Sequence, residues 1–362
     1  MTDSKSRRRW FQVRLRTLLI LVTLATIPLA WVSWRLQRAR AEERVIAWIE
    51  EAGGVAVPGD SWVDRWIAPT VAKVFLGFKK VDDLSPLVQL KDLRLLDLRS
   101  TPVSDLAPLA ECVNLEKFEL ADSSVSDLSP LANCAGIERL DLAGTAVEDL
   151  SPIANLKNLE YLNVSRTEVS DASPLKDLRN LRNLYLANLS VDDLSPVARL
   201  NRLEILNVSR TKVADLSPLK GLVNLREFKC HGTQVCDLSP LSGLRNLKTL
   251  DCGRSHVSDL APLTDCTRMQ WLVLSNTLVS DLTPLVHMKK LRSVSIRGTQ
   301  VYDLSPLAAV TNLEQVVLGA GLDNKVCTPV SDENVRALEL ALSKCRIVQM
   351  KNLNARQATA TE

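Results

Sequence analysis

Histidine is almost missing from this chain, with three in 362 residues. That scarcity excludes a His-rich metal site and most acid–base chemistry built on imidazole. Glycine (13) and proline (16) are too few for a collagen-like or low-complexity polymer. Aromatic residues make up only 4%. There is no Gly-rich phosphate loop and no Cys-x-x-Cys pair. Serine and aspartate abound, but only through a periodic pattern, so no nucleophile and base stand out as a pair. What the chain has instead is aliphatic side chains and charge, 46% hydrophobic and 24% charged. That excludes disorder, and the length allows a sizeable core.

A net charge of +3 hides a split. Residues 1–40 carry nine Lys or Arg against one acid, Asp3, and the remainder carries 36 bases against 41 acids. Basicity confined to one end points to a membrane-flanking segment, not to a nucleic-acid-binding body. Thr17 to Trp34 follow without a charge, 18 residues that rise about 27 Å as a helix, enough to span a hydrocarbon core. Pro28 is tolerable there, and Trp31 and Trp34 suit the interfacial belt. The alternative is a cleaved signal peptide, but Arg35, Arg38 and Arg40 crowd its only small-x-small site, Ala39-Arg40-Ala41. Six basic residues precede the span and four follow it, Arg35, Arg38, Arg40 and Arg44. The sequence thus predicts a single-pass membrane protein with a cytoplasmic tail (1–16), a signal anchor (17–34) and an extracytoplasmic body. A loose twin-arginine pattern, Arg8-Arg9-Trp10-Phe11, leads to the same side.

A valine recurs every 22 residues from Val81 to Val301, eleven times without an insertion. The unit reads V-x-D-L-S-P-L-x-x-L-x-N-L-x-x-L-x-L-x-x-T-x and spans 81–322. Seven positions are nearly always apolar; in the first copy they are Val81, Leu84, Leu87, Leu90, Leu93, Leu96 and Leu98. A spacing of two at Leu96-x-Leu98 is the alternation of a short strand, and the spacing of three before it suits a tight 3₁₀ turn. One coil cannot bury its own apolar side, so stacked coils share a continuous core. Ser before Pro reads as a helix start, with the hydroxyl expected to cap free N–H groups. An aspartate stands in every copy, from Asp83 to Asp303. A metal-binding ladder would bring glycines and several acids per turn, so the sequence favours an Asx-type turn.

With L-x-x-L-x-L at the strand and D-L-S-P-L at the turn, the unit resembles the 22-residue leucine-rich repeat of bacterial internalins. The resemblance implies an α/β solenoid: a curved leucine-rich repeat with a concave parallel β-sheet and a 3₁₀/turn convex side, preceded here by one transmembrane helix. The Asn usual after the strand is mostly a hydroxyl, as at Thr101, Ser123 and Thr145, expected to bond the neighbouring coil's backbone. No cell-wall sorting pattern shows in Lys351–Glu362. Residues 35–80 are expected to form a juxtamembrane helix (41–52, stopped by Gly53-Gly54), a loop with Trp62 and Trp66, and the amino-terminal cap. Residues 323–350 are expected to form the other cap, a helix from Ser331 to Ser343 and a strand at Arg346-Ile347-Val348, before a flexible tail (351–362). Cys112, Cys134, Cys266, Cys230 and Cys252 fall in apolar columns and read as buried, Cys236 as exposed; Cys327 and Cys345 are candidates for a bridge.

The x positions of x-L-x-L-x form the concave contact surface. Tyr161 and Tyr185 fall diagonally on adjacent coils, Trp271 stands beside Val273, His231 shares this face, and Arg166, Arg210 and Arg254 stand on alternate coils just past the strand. Aromatic and arginine side chains are the usual interface anchors. The sequence therefore predicts a non-enzymatic, membrane-anchored protein that binds a protein partner through these residues, with no cofactor and no metal. The alternatives are recognition of a cell-envelope glycan or peptide by the tyrosine–asparagine strip, or a cytoplasm-facing regulatory scaffold.

Overall fold

A computed structural model describes residues 4–59, 70–319 and 330–350. Trp62, Trp66, Cys327 and the tail Lys351–Glu362 lie outside the described residues. The fourteen strands form one sheet in sequential order. Its first pair, β1 (Val55–Pro58) and β2 (Val71–Phe75), is antiparallel. From β2 on every pairing is parallel, through eleven repeat strands running from Leu95–Asp97 to Gln315–Gly319 and on to a final strand, Arg346–Met350. Pairing between repeat strands is in step with the 22-residue unit: Leu96 lies opposite Phe118, and Leu206 opposite Phe228. Ten 3₁₀ turns, then one short α-helix at Ser305–Ala308, return the chain between strands.

The seven apolar columns meet inside the stack. Every member of the valine series is 6% exposed or less, and all six leucines of the first copy are 1% or less. At about 1.5–3 kcal/mol for each buried aliphatic side chain, this shared core and not the exposed ion pairs holds the coils together.

The turns carry the expected Asx geometry at the aspartate, but not the expected serine cap. The N-cap of each 3₁₀ turn is a leucine or alanine with no side-chain cap, and proline occupies the first positions. The aspartate does the work assigned to serine: in all eleven coils its Oδ1 accepts the N–H two residues on, at 2.7–2.8 Å. Where the serine or threonine hydroxyl bonds, as at Ser173, Ser195, Ser217, Thr283 and Ser305, it donates to that same carboxylate. A carboxylate reaches a backbone N–H two residues on in an Asx turn without helical geometry, which a hydroxyl does more weakly.

The hydroxyl column after the strand is also corrected. Thr101 donates to the carbonyl of Leu98 in its own coil at 2.7 Å, and seven further Thr or Ser residues repeat this three-residue reach. Ser123 Oγ is buried with no hydrogen-bond partner. Coil-to-coil side-chain bonds come instead from the asparagine of L-x-N-L. Asn114, Asn158, Asn180, Asn224, Asn246 and Asn312 each donate to a carbonyl 23 residues back.

At the amino end, Ser4–Glu51 is one α-helix, α1, so the expected helix over 41–52 is its last part and not a separate element. Nothing between Arg35 and Glu51 breaks helices, and the residues there are mostly strong helix formers. Thr17–Trp34 within α1 is, among the described residues, the one stretch long and apolar enough to cross a membrane, with mean hydropathy 1.9 and none of it packed inside the protein. The far end of α1 closes the core with Val45 and Ile49, and Glu42 Oε2 accepts the N–H of Val71 at 2.7 Å. Gly53, at φ +73°, ends the helix, and a Cβ on Gly54 would lie 2.5 Å from Leu76 Cδ2. At the carboxyl end, α-helix Asp332–Ala341 is capped by Ser331 Oγ, which accepts the Asn334 N–H at 3.2 Å. It buries Val335 and Leu338 before the last strand.

The five cysteines of the apolar columns are buried and carry free thiols, and Cys236 is exposed. Burial pushes the Cys134 and Cys266 thiols up to about 11 and Cys252 to about 12. In a maleimide labelling time course, Cys236 is expected to react at a free-thiol rate, while Cys112, Cys134, Cys230, Cys252 and Cys266 stay unmodified until urea unfolds the chain. Fast native labelling of any of those five contradicts the packing described.

Candidate functional site

Alternation along each three-residue strand sends its middle residue into the core and its outer two onto the open face. The next outward residue lies two positions on, and the residue immediately after that turns into the left-handed region. Four columns thus run along the solenoid, read in the fourth coil as Tyr161, Asn163, Ser165 and Arg166.

Tyr161 and Tyr185 do touch: their ring centroids are 5.4 Å apart at 45°. Arg139, one coil before Tyr161 in the same column, lays its guanidinium 3.5 Å from the Tyr161 centroid. Its Nε donates to Glu119 Oε1 at 2.5 Å. Glu119, Arg139, Tyr161 and Tyr185 therefore form a chain of contacts over four successive coils. Burial raises both phenol pKa values, helped by Asp141 at Tyr161 and by Glu227 at Tyr185. Sequence reading singled out the tyrosines and missed Arg139, whose signal was its place exactly 22 residues ahead of Tyr161.

Charges elsewhere on this face are mostly paired. Arg99 grips Asp97 through Nε and Nη2 at 3.0 and 2.7 Å. Burial acts most strongly on Asp97 and raises its pKa, but the Arg99 hydrogen bonds and charge outweigh it, leaving the carboxyl below its ordinary value. Lys229 pairs with Glu227 at 2.6 Å, and His231 Nδ1 lies 3.6 Å from Asp251 Oδ1. Asn163 and Asn207 accept backbone N–H groups two residues on at 3.1 and 3.0 Å, as Asp97, Asp141 and Asp251 do. The asparagine strip is in that respect part of the strand ends. Between the paired groups lies an uncharged window over the strands of Tyr161, Tyr185 and Asn207. Trp271, 44% exposed, stands five coils beyond Tyr161, roughly 24 Å away at about 4.8 Å per coil, and is not brought together with the tyrosines.

Arg166, Arg210 and Arg254 are exposed and hold φ values of +61°, +57° and +55°. Their column also holds Ser100, Asp122, Asn188 and Asn276, and glycine at Gly144, Gly232 and Gly298. Left-handed backbone costs an arginine about 1 kcal/mol that glycine avoids. Arg166 Nη2 bonds Asp122 Oδ1 at 3.1 Å, two coils back, across Gly144, where a Cβ would lie 2.3 Å from Asp122 Oδ1. Arg210 lies over Gly232, with Cγ 3.5 Å from where a Cβ would stand. Neither Arg210 nor Arg254 has an ion-pair partner among the described residues.

On the opposite side, an open depression of about 620 Å³ lies between two turns, lined by Ser173, Lys176, Asp177, Asp193, Ser195 and Arg199 among others. Two of these, Asp193 and Ser195, are bound to each other as turn formers. Among the described residues no group of three or more His, Cys, Asp or Glu side chains converges to hold a metal.

No protein-family model matches the chain, and no curated protein does. Solved structures do. An internalin, InlF, from Listeria monocytogenes is 23% identical, with 80% of this chain and 93% of that one covered at a TM-score of 0.66. Internalin C2 from the same organism is 30% identical over 51% of this chain and 85% of its own, at 0.50. A plant peptide hormone receptor, RGFR1, in complex with RGF2 is 14% identical, covering 75% and 46%, at 0.58. The likeness establishes an internalin-like leucine-rich-repeat fold.

Proposed function

We propose that this internalin-like leucine-rich-repeat solenoid is a protein-binding scaffold that takes its partner on the concave strand face, around Tyr161 and Tyr185. The observation that carries the reading is the Tyr161–Tyr185 contact on strands that carry no charge, flanked by the Glu119-paired Arg139 guanidinium, on a face whose other charges are largely paired. Half-buried aromatics in a desolvated setting are the residues that dominate interface energies, while exposed ion pairs add little. The receptor with the same fold is recorded holding another polypeptide, which fits this use of the architecture. Trp271 is a second anchor, and Arg166, Arg210, Arg254 and His231 border the surface. A glycan reading draws less support, because Asn163 and Asn207 already spend their carbonyls on the backbone.

Residues 17–34 serve as a membrane anchor in this proposal, with the six basic residues before it cytoplasmic and the repeats (81–322) on the other side. Binding is the chemistry this reading assigns: the surface is open, and among the described residues the aromatic and arginine groups on it are interface anchors.

Proximity labelling from the intact chain tests the reading. A partner labelled by the wild type is expected to lose at least about tenfold of its signal with Tyr161→Ala, Tyr185→Ala and Trp271→Ala combined. Lys176→Ala, on the turn side, is expected to change nothing. Equal labelling by the triple variant and the wild type sinks the concave-face assignment.

A further inference from the structure

We infer that the element bound on this face is an acidic, proline-rich segment in the polyproline II conformation, lying along the solenoid axis between the tyrosine pair and the arginine column. This rests on the protein-binding reading above and adds the chemistry of the partner.

Three observations converge on it. First, the arginines stand where glycine and asparagine are the comfortable residues, yet Arg occupies the position three times. Backbone strain of this kind is concentrated at ligand clamps, where binding repays it. Second, these guanidinium groups are available. Arg210 and Arg254 hold no ion pair among the described residues, and the Arg166–Asp122 pair is solvent-exposed on both sides and easily exchanged. Guanidinium forks select carboxylates by bidentate hydrogen bonding. Third, the spacing is fixed by the fold. Arg166, Arg210 and Arg254 are separated by two coils each, or about 10 Å.

That interval discriminates among extended chains. A β-strand returns a side chain to the same side every second residue, roughly 7 Å apart, and the next one about 13 Å on, so neither matches. Polyproline II has three residues per turn at 3.1 Å each and returns every ~9.3 Å, close to two coils. A carboxylate at every third residue then meets each arginine in turn. The other sides of such a helix are apolar when they carry proline, and prolines dock on aromatic-lined grooves. Tyr161 and Tyr185 supply that wall. Between the two rows lie Ser165, Ala187 and Ser209, small enough to let the backbone approach, with Ala187 only 7% exposed. Between Arg166 and Arg254, His231 is the one large side chain in this strip, with its Nδ1 3.6 Å from Asp251 Oδ1.

The test uses the full-length chain in detergent and a fluorescein-labelled peptide of six Glu-Pro-Pro triplets, about 56 Å long as polyproline II. A second peptide has the same composition with its glutamates clustered in two blocks. By fluorescence anisotropy the regular peptide is expected to bind at least about tenfold more tightly than the clustered one. Arg166→Gly, Arg210→Gly and Arg254→Gly combined are expected to lose at least about tenfold of that affinity with Tm unchanged or raised, since glycine relieves the backbone. Loss of binding without loss of stability separates recognition from folding. Equal affinity for the two peptides, an unaffected triple variant, or binding of dextran sulfate but of neither peptide overturns the inference. If the peptide fails while proximity labelling still depends on Tyr161 and Tyr185, only the acidic-segment inference is lost. If that labelling ignores the tyrosines, the protein-binding reading itself falls.

Discussion

Phe228→Ala is expected to lower stability by about 3–5 kcal/mol and to split urea unfolding into two steps. The ring is fully buried, and its strand is paired on one side with the strand of Leu206 and on the other with that of Leu250. Removing it leaves a cavity that rigid coils on either side cannot collapse to fill, because each is tied to the next by its backbone pairing and its asparagine staples. In a linear array every coil contacts only its neighbours, so a defect in the middle weakens the one interface that couples the two halves. The same truncation near an end would release a short stretch and leave the rest intact. Circular dichroism through the urea transition, with hydrogen exchange to locate each half, reads both effects. A single transition displaced by less than about 1 kcal/mol would falsify the picture of a tightly packed central coil.

Acid is expected to dissolve the turns. Eight aspartates of the repeated column, Asp83, Asp127, Asp149, Asp171, Asp193, Asp215, Asp237 and Asp281, have carboxyl pKa values held below the ordinary 3.8. The cause is the hydroxyl of the following Ser or Thr and then its backbone N–H, in the reverse order at Asp171. A depressed folded-state pKa means that the unfolded chain takes up protons first as pH falls. Their stabilisation is fully present above the unfolded value and is lost as pH drops through the folded one. Tm is therefore expected to stay level from neutrality to about pH 5 and to fall steadily below about pH 4. Because each carboxylate is exposed, the single effects are small and the decline is collective. Combining Asp171→Asn, Asp193→Asn and Asp215→Asn keeps an oxygen to accept each N–H but removes the titration. That variant is expected to be less stable at neutral pH and to show an acid slope smaller by about a third, three of eight groups being gone. A slope identical to the wild type would show that the acid sensitivity arises elsewhere.

The positions of Val81, Leu96 and their repeats were legible because a 22-residue step without insertions leaves only one way to stack coils. The same step located the buried cysteines and put Tyr161 and Tyr185 within reach of each other. What it did not convey is the direction in which a polar side chain turns. A hydroxyl such as that of Thr101 turns back to a carbonyl of its own coil. Asn114 reaches the carbonyl of the preceding coil instead. The Asx turn at Asp83 was legible, and its carboxylate accepts the Ser85 N–H, but the Ser85 hydroxyl caps nothing in the turn that follows. Arg139 was overlooked for a related reason: its role depends on its side chain lying over the next coil, while in its own coil it is one more charged residue. The strain at Arg166, Arg210 and Arg254 is likewise a property of backbone angle that residue type alone concealed.

The amino-terminal helix runs from Ser4 to Glu51, about 72 Å, and its final turns are clamped to the first coil. Pro28 withholds one backbone hydrogen bond within it, and the helix continues through that point to the first coil. If residues 17–34 are anchored as proposed, the same helix links that anchor to the first coil, so the anchor also bears on the tilt and standoff of the array, much as a crane's mast bears on its arm.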